Sequence, residues 1–195
     1  KLRYVTTYVI APTASTGLFT DVVFRANSIH DPEHATGGHQ PYGSDEWADN
    51  YNNYQVLGSK CSTLFSSDTG DQKSSAQVTT MSNQFSALSV AHLKVNTNQE
   101  NPSWNTGVKH LYPLGSTKST VKSVATFSST RDLKIAPNSD EQKVAFGYDP
   151  SGVGRVWYFH VCAGEYASMG VGYISCTTTI DYIVRLTDPV TIAPS

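Results

Sequence analysis

Alternation of apolar and polar residues is the dominant pattern along this chain. It is clearest over residues 172–186, where every second side chain is apolar or small: Ile174, Cys176, Thr178, Ile180, Tyr182, Val184 and Leu186. Successive side chains of a β-strand point to opposite faces, so this stretch predicts a strand with one dry face. Similar signals predict strands at 3–10, 18–27, 53–66, 75–82, 106–112, 119–127 and 155–163. The 155–163 segment is apolar on both sides, which indicates a strand covered on both faces.

Helical periodicity is weak by comparison. Residues 84–93 would form a short helix with Phe85, Leu88 and His92 on one side. A further turn is expected at 44–50, with Ser44 as its cap. Eight antiparallel strands with long loops and little helix predict an all-β sandwich. We favour an eight-stranded jelly roll, with an immunoglobulin-like or lectin-like sandwich as the alternative.

Composition narrows the class of protein without identifying it. The 195 residues show no repeat or linker, so we expect a single domain over 1–195. A formal charge of −2, with 15% charged residues, argues against tight binding of nucleic acid by this chain alone. The widely spaced Cys61, Cys162 and Cys176 are expected to be free, mostly buried thiols, with one disulfide plus one free thiol as the alternative. A strand pattern already begins at Lys1, so we expect that a preceding segment has been removed.

No motif of enzyme chemistry emerges. The sequence has neither the glycine loop that cradles phosphates nor a Gly-x-Ser-x-Gly nucleophile turn. We therefore expect no catalytic residues, no cofactor and no enzymatic activity. His30, His34 and His39 lie near Asp31 and Glu33 and would form a metal site or a pH-sensitive contact. Their spacing does not fix a tetrahedron, so we favour ordinary loop hydrogen bonds and no metal.

The most specific pattern is the loop after the second predicted strand. It contains Asn27-Ser28, Asp31-Pro32, the run Gly37-Gly38-His39-Gln40-Pro41-Tyr42-Gly43, and Trp47, ahead of Tyr51, Tyr54 and Val56. This pattern resembles the segment that follows strand C in the capsid (coat) proteins of small circular Rep-encoding single-stranded DNA viruses. The resemblance is close over 24–65 and elsewhere extends only to the order of strands. The shell domain of icosahedral plant RNA viruses shares the same architecture.

The resemblance implies a jelly-roll capsid subunit that self-assembles into a small icosahedral shell of about 60 copies around a single-stranded genome. The protein would be located in the virion and would assemble in the host nucleus or cytoplasm. It would have no membrane partner, and a host receptor is a possible further partner. Genome binding would rest mainly on an N-terminal basic arm absent from this chain, with Lys1 and Arg3 nearest to the packaged nucleic acid. The subunit-interface loop would include these residues: Asn27, Asp31, Pro32, Gly37, Gly38, His39, Gln40, Pro41 and Trp47.

Two other functions fit a β-sandwich. The first is a carbohydrate-binding, lectin-like module, in which tyrosines and Trp104 would form a sugar platform. The second is a β-sandwich enzyme, for which no residue spacing selects a catalytic set.

Overall fold

Strands make up most of the regular structure in the computed structural model. It describes residues 1–10, 20–35, 38–67, 88–96, 108–114, 120–146, 156–165 and 174–191, with the backbone alone for 20–21, 67, 88–96, 108–114, 121, 162–165 and 174. The strands are β1 Leu2–Ile10, β2 Thr20–Arg25, β3 Tyr51–Ser67, β4 Leu88–Asn96, β5 Val108–Leu114, β6 Thr120–Ser128, β7 Val144–Ala145, β8 Trp157–Glu165 and β9 Ile174–Pro189. One short helix, α1 Ser44–Ala48, and a π-helical turn, Ser129–Leu133, complete the described elements.

The strands form two antiparallel sheets. The first sheet has the order β1-β9-β3-β6, with the short β7 beside β3, and the second has the order β2-β8-β4-β5. The chain crosses between the sheets repeatedly, and its first strand lies beside its last. A five-stranded and a four-stranded sheet connected in this order define a jelly roll, so the predicted fold class is confirmed.

The core lies between the inner faces of the two sheets. Cys176, Thr178, Ile180 and Tyr182 of β9 are all buried, which confirms the alternation predicted for that strand. The run Tyr158–Val161 in β8 is buried at four consecutive positions, as expected for a strand covered on both faces.

One predicted element is wrong and one lies outside the description. The segment predicted as a helix, 84–93, contains the start of β4, which pairs with β5 on one side and β8 on the other. Two rows of inter-strand hydrogen bonds outweigh a weak helical periodicity, because tertiary pairing routinely overrides local propensity. The predicted strand 75–82 lies outside the described residues. The two-residue strand β7 was not predicted.

The turn predicted at 44–50 is present, but its cap is not Ser44. Helix α1 begins at Ser44, and the capping position is Gly43, whose φ of 79° is the left-handed conformation that glycine adopts readily. The Ser44 hydroxyl instead donates a hydrogen bond to Gln40 Oε1 at 3.2 Å, and the Ser44 N–H bonds to the Pro41 carbonyl at 3.1 Å. This tight turn places Ser44 inside the helix.

The two thiols that the structure describes, Cys61 and Cys176, are buried and form no disulfide, in agreement with the prediction. The side chain of Cys162 lies outside the described residues. Burial raises the pKa of both thiols to about 12, because a thiolate would lose its hydration in the core.

Candidate subunit-contact site

The contact loop, residues 27–47, begins by folding back on β2. The Arg25 N–H donates to the Pro32 carbonyl at 2.7 Å. The Arg25 guanidinium donates to the carbonyls of Asp31 and Glu33, and lies 3.6 Å from the Asp31 carboxylate. One arginine therefore fixes the first half of the loop through both backbone and charge.

Two buried polar residues attach the same half of the loop to the core. Asn27 Oδ1 accepts a hydrogen bond from the Trp157 N–H at 2.7 Å, and its Nδ2 donates to Gln142 Oε1 at 3.2 Å. Ser28 shares a hydrogen bond of 3.1 Å with the Tyr54 hydroxyl. Asn27 is 4% exposed, so it acts within its own protomer.

The second half of the loop lies along the free edge of β1. The Tyr42 N–H donates to the Arg3 carbonyl at 3.2 Å. The His39 ring stacks on Tyr4, with ring centroids 4.5 Å apart. A Cβ added at Gly38 would lie 2.7 Å from Asp31 Oδ1 and 3.2 Å from Glu33 Cβ, so a larger residue there requires the Asp31 side chain to shift.

The loop exposes two aromatic side chains to solvent, Tyr42 and Trp47, which we call the aromatic ridge. Tyr42 is 91% exposed and Trp47 44% exposed, and Val190 at the end of β9 adds further exposed apolar surface at 40%. The Val190 N–H donates to the Asn50 carbonyl at 2.9 Å, which brings the end of β9 beside the end of α1. Exposed aromatic residues on a structured loop make this surface a candidate for interaction with a partner.

The residues predicted for subunit contact divide into two groups. Asn27, Pro32 and Pro41 are buried within the protomer and shape the loop, while Asp31 and Gly38 are partly buried. His39, Gln40 and Trp47 are exposed and available to a neighbour, and Gly37 lies outside the described residues. Contact with a second copy stays a prediction for this set. Tyr42 was not among the predicted residues, although an aromatic residue between Pro41 and Gly43 is the signal that would have found it.

The two residues predicted to face nucleic acid share one carboxylate. Arg3 binds both oxygens of Asp181, at 2.7 and 3.2 Å, and Lys1 Nζ lies 3.3 Å from the same carboxylate. The hydrogen bond from Arg3, aided by Lys1, lowers the pKa of Asp181 below its usual value. Both cationic side chains remain 60% exposed, so the pairing leaves them accessible. Their contact with nucleic acid stays a prediction.

Two of the three loop histidines contact aromatic rings. His39 stacks on Tyr4 and His34 meets the edge of Tyr158 at 5.5 Å. Among the described residues, no three His, Cys, Asp or Glu side chains are grouped closely enough to hold a metal ion. Within that same part of the chain, no helix is long and apolar enough to span a membrane. Trp104, the predicted sugar platform, lies outside the described residues.

No protein-family model and no curated protein matches this sequence. Solved viral structures do match it over nearly the whole chain. A Mud Crab Dicistrovirus chain matches at 12% identity and TM-score 0.48, covering 99% of this chain and 73% of the other. A Cowpea Mosaic Virus empty virus-like particle gives 12% and 0.42, covering 98% and 87%. The 60-mer of the BFDV capsid protein gives 11% and 0.41, covering 100% and 96%. Because these identities and TM-scores are low, the jelly-roll fold is assigned from the strand order of the chain itself.

Proposed function

We propose that this chain is a non-catalytic capsid subunit that binds copies of itself through the contact loop. The observation that carries the proposal is the aromatic ridge: Tyr42, 91% exposed, projects from a loop that its own protomer holds rigidly. The jelly-roll strand order and the resemblance of residues 24–65 to coat proteins of small single-stranded DNA viruses support it.

The contact loop is held in place before it meets a neighbouring copy, which favours binding. The described parts of the loop, 27–35 and 38–47, are held by contacts that include those of Arg25 and Asn27, so docking them against a neighbour requires less further ordering. Tyrosine and tryptophan are also the residues that contribute most to protein interfaces, since each buries a large area with few rotatable bonds. The ridge therefore combines a rigid support with residues suited to a contact.

The resemblance to coat proteins of small single-stranded DNA viruses suggests what kind of shell the subunit forms. The assembled form would be a small icosahedral shell of about 60 copies in the virion, enclosing a single-stranded DNA genome. Assembly would take place in the host nucleus or cytoplasm, and a host receptor would bind the outside of the shell.

The experiment compares Tyr42→Ser with Leu64→Ser by sedimentation velocity. Leu64 is 46% exposed on β3 and serves as the control for removing exposed apolar surface outside the contact loop. We expect wild type and Leu64→Ser to sediment as large closed assemblies, and Tyr42→Ser as monomers or small oligomers with unchanged circular dichroism. Assembly of Tyr42→Ser at the wild-type concentration would refute the role of the ridge. Absence of assembly by the wild type would refute the capsid function.

A further inference from the structure

Strand β1 has a free edge that extends beyond the point where the contact loop covers it. It is the first strand in the sheet order β1-β9-β3-β6, so it pairs with β9 on one side. The Tyr42 N–H donates to the Arg3 carbonyl at 3.2 Å, and within the described parts of the chain this is the one backbone hydrogen bond to the free edge of β1. In that part of the chain, the edge from Val5 to Val9 has no backbone partner.

The bond to Arg3 also shows which residues of β1 direct their backbone groups to the free edge. The N–H and C=O of one strand residue point to the same side, and that side alternates along the strand. Arg3 directs its carbonyl away from β9, so Val5, Thr7 and Val9 do the same. Their side chains lie on the solvent face of the sheet, where Val5 is 45% and Val9 58% exposed. Free backbone groups and exposed apolar side chains therefore occur on the same residues.

The other edge strands are protected in ways that β1 is not. The β2 edge is covered by its own chain, since the His34 N–H donates to the Val23 carbonyl at 2.8 Å. The remaining two edge strands contain lysines, Lys109 in β5 and Lys122 in β6. The run Val5-Thr6-Thr7-Tyr8-Val9-Ile10 has no charge and no proline, and its register with β9 has no bulge. Natural proteins rarely leave an uncharged apolar edge of this kind open, because it readily pairs with another strand.

The order of residues along this edge is complementary to a second copy of itself. In an antiparallel pair centred on Thr7, the two Thr7 residues lie opposite each other, and Val5 of each copy lies opposite Val9 of the other. Opposed residues whose backbone groups face each other exchange both of their hydrogen bonds. The exposed valines then form cross-strand pairs of β-branched side chains, which stabilise a sheet. A second copy of β1 therefore satisfies the backbone and covers the valines together.

Charge and the contact loop both favour this register over its neighbours. A pair centred on Val5 or Thr6 would require the Arg3 backbone, whose carbonyl already accepts a hydrogen bond from Tyr42. It would also bring the arginines of the two copies closer together. With Thr7 at the centre, the two Arg3 residues lie outside the paired region, about 27 Å apart along the strands at the usual rise per residue.

We infer that β1 pairs with β1 of a second copy across a two-fold axis at Thr7, which joins the first sheets of the two copies into one continuous sheet. A two-fold contact uses the same surface on both subunits and closes on itself, and its strand pairing does not use Tyr42 or Trp47. The inference adds a second self-contact to the proposed function. It rests on that function only in taking the partner to be another copy of this chain.

Cysteine crosslinking of the full chain tests the pairing and its register. The protein also carries Tyr42→Ser, so that the aromatic ridge contributes less to association. In the Thr7→Cys variant the two substituted positions would lie about 5.5 Å apart between Cα atoms, within reach of a short bismaleimide. Leu64→Cys is the matched control, because Leu64 is exposed in the same row of the sheet, opposite Thr177, which lies opposite Thr7. Across the two-fold axis the two Leu64 positions would lie about 24 Å apart at the usual strand spacing. We expect crosslinked dimer from Thr7→Cys, and from Leu64→Cys only the background given by the native cysteines.

Thr7→Pro, in the same Tyr42→Ser protein, supplies a second measurement. The N–H that proline lacks faces the free edge of β1, so the pairing of β1 with β9 is kept, and this is the setting in which a sheet tolerates proline. The substitution removes one hydrogen bond from each copy, and we expect it to weaken dimerisation by about 30-fold in sedimentation equilibrium. Unchanged circular dichroism would show that the protomer still folds.

Equal crosslinking of Thr7→Cys and Leu64→Cys, no crosslinking of either, or dimerisation unaffected by Thr7→Pro would overturn the inference. If the wild type forms closed particles and Thr7→Cys gives no crosslink, the edge pairing is refuted and the proposed function stands. If Thr7→Cys crosslinks and the wild type never assembles beyond a dimer, the capsid function is refuted and the edge pairing stands.

Discussion

Replacing Asn27 with alanine tests whether the shape of the contact loop is built into the protomer. The substitution removes the acceptor of the Trp157 N–H and the donor to Gln142 Oε1, which lie at 2.7 and 3.2 Å. Asn27 is 4% exposed, so water does not readily replace either partner. A buried polar group left without a partner costs about 1–3 kcal/mol, and two such groups give about 2–6 kcal/mol. Against a typical stability of about 5–15 kcal/mol, this is a large loss.

Urea unfolding followed by tryptophan fluorescence measures the effect. Asn138→Ala is the control, because Asn138 is exposed and its loss is expected to change the free energy of unfolding by less than about 0.5 kcal/mol. We also expect Asn27→Ala to assemble less well than the wild type, since the loop would no longer be held against β8. A free energy of unfolding equal to that of Asn138→Ala would refute the account of how the loop is fixed.

Three further predictions follow from other contacts. Gly38→Ala should lower the free energy of unfolding by about 1 kcal/mol, because the new methyl group would lie 2.7 Å from Asp31 Oδ1, which must move away, and 3.2 Å from Glu33 Cβ, and an unchanged thermal midpoint would contradict this. Arg3→Gln should be less stable than wild type at neutral pH, because Arg3 lowers the pKa of Asp181 in the folded state. The stabilisation from the Arg3–Asp181 pair is complete above the pKa of Asp181 in the unfolded chain, about 4, and is lost as the pH falls through its lower pKa in the folded protein. Urea unfolding should therefore show a difference between the two proteins at pH 7 and none near about pH 2. Cys61 should resist alkylation in the native protein at about pH 8, since burial raises its pKa to about 12, and should react in urea; peptide mass spectrometry showing native labelling would contradict its burial.

The fold was predictable where the hydrophobic pattern is regular. In β9 the alternation from Ile174 to Leu186 identifies the strand and its buried face, because one face of a sheet must be dry and the other need not be. In β4 the pattern is ambiguous: Leu88-Ser89-Val90-Ala91-His92-Leu93 fits a short helix as well as a strand. Its identity depends on pairing with β5 and β8, which no local window contains.

The structured loop at 27–47 was predictable as a segment but not residue by residue, and its contact with a second copy stays a prediction. The prolines and glycines of 27–47 correctly indicate a structured loop. The burial of Asn27 depends on Trp157 and Gln142, which are 130 and 115 residues away in sequence. The bulge between Val56 and Gly58 in β3 likewise appears only when β3 pairs with β9. Contacts of this separation in sequence leave no periodic signal.

Electron microscopy of the purified protein across a range of salt and pH tests the central claim most directly. The account predicts uniform closed particles in which the surface around Tyr42 and Trp47 is covered by a neighbouring copy. Protein that remains monomeric in every condition, or particles whose subunits leave these two residues uncovered, would contradict it.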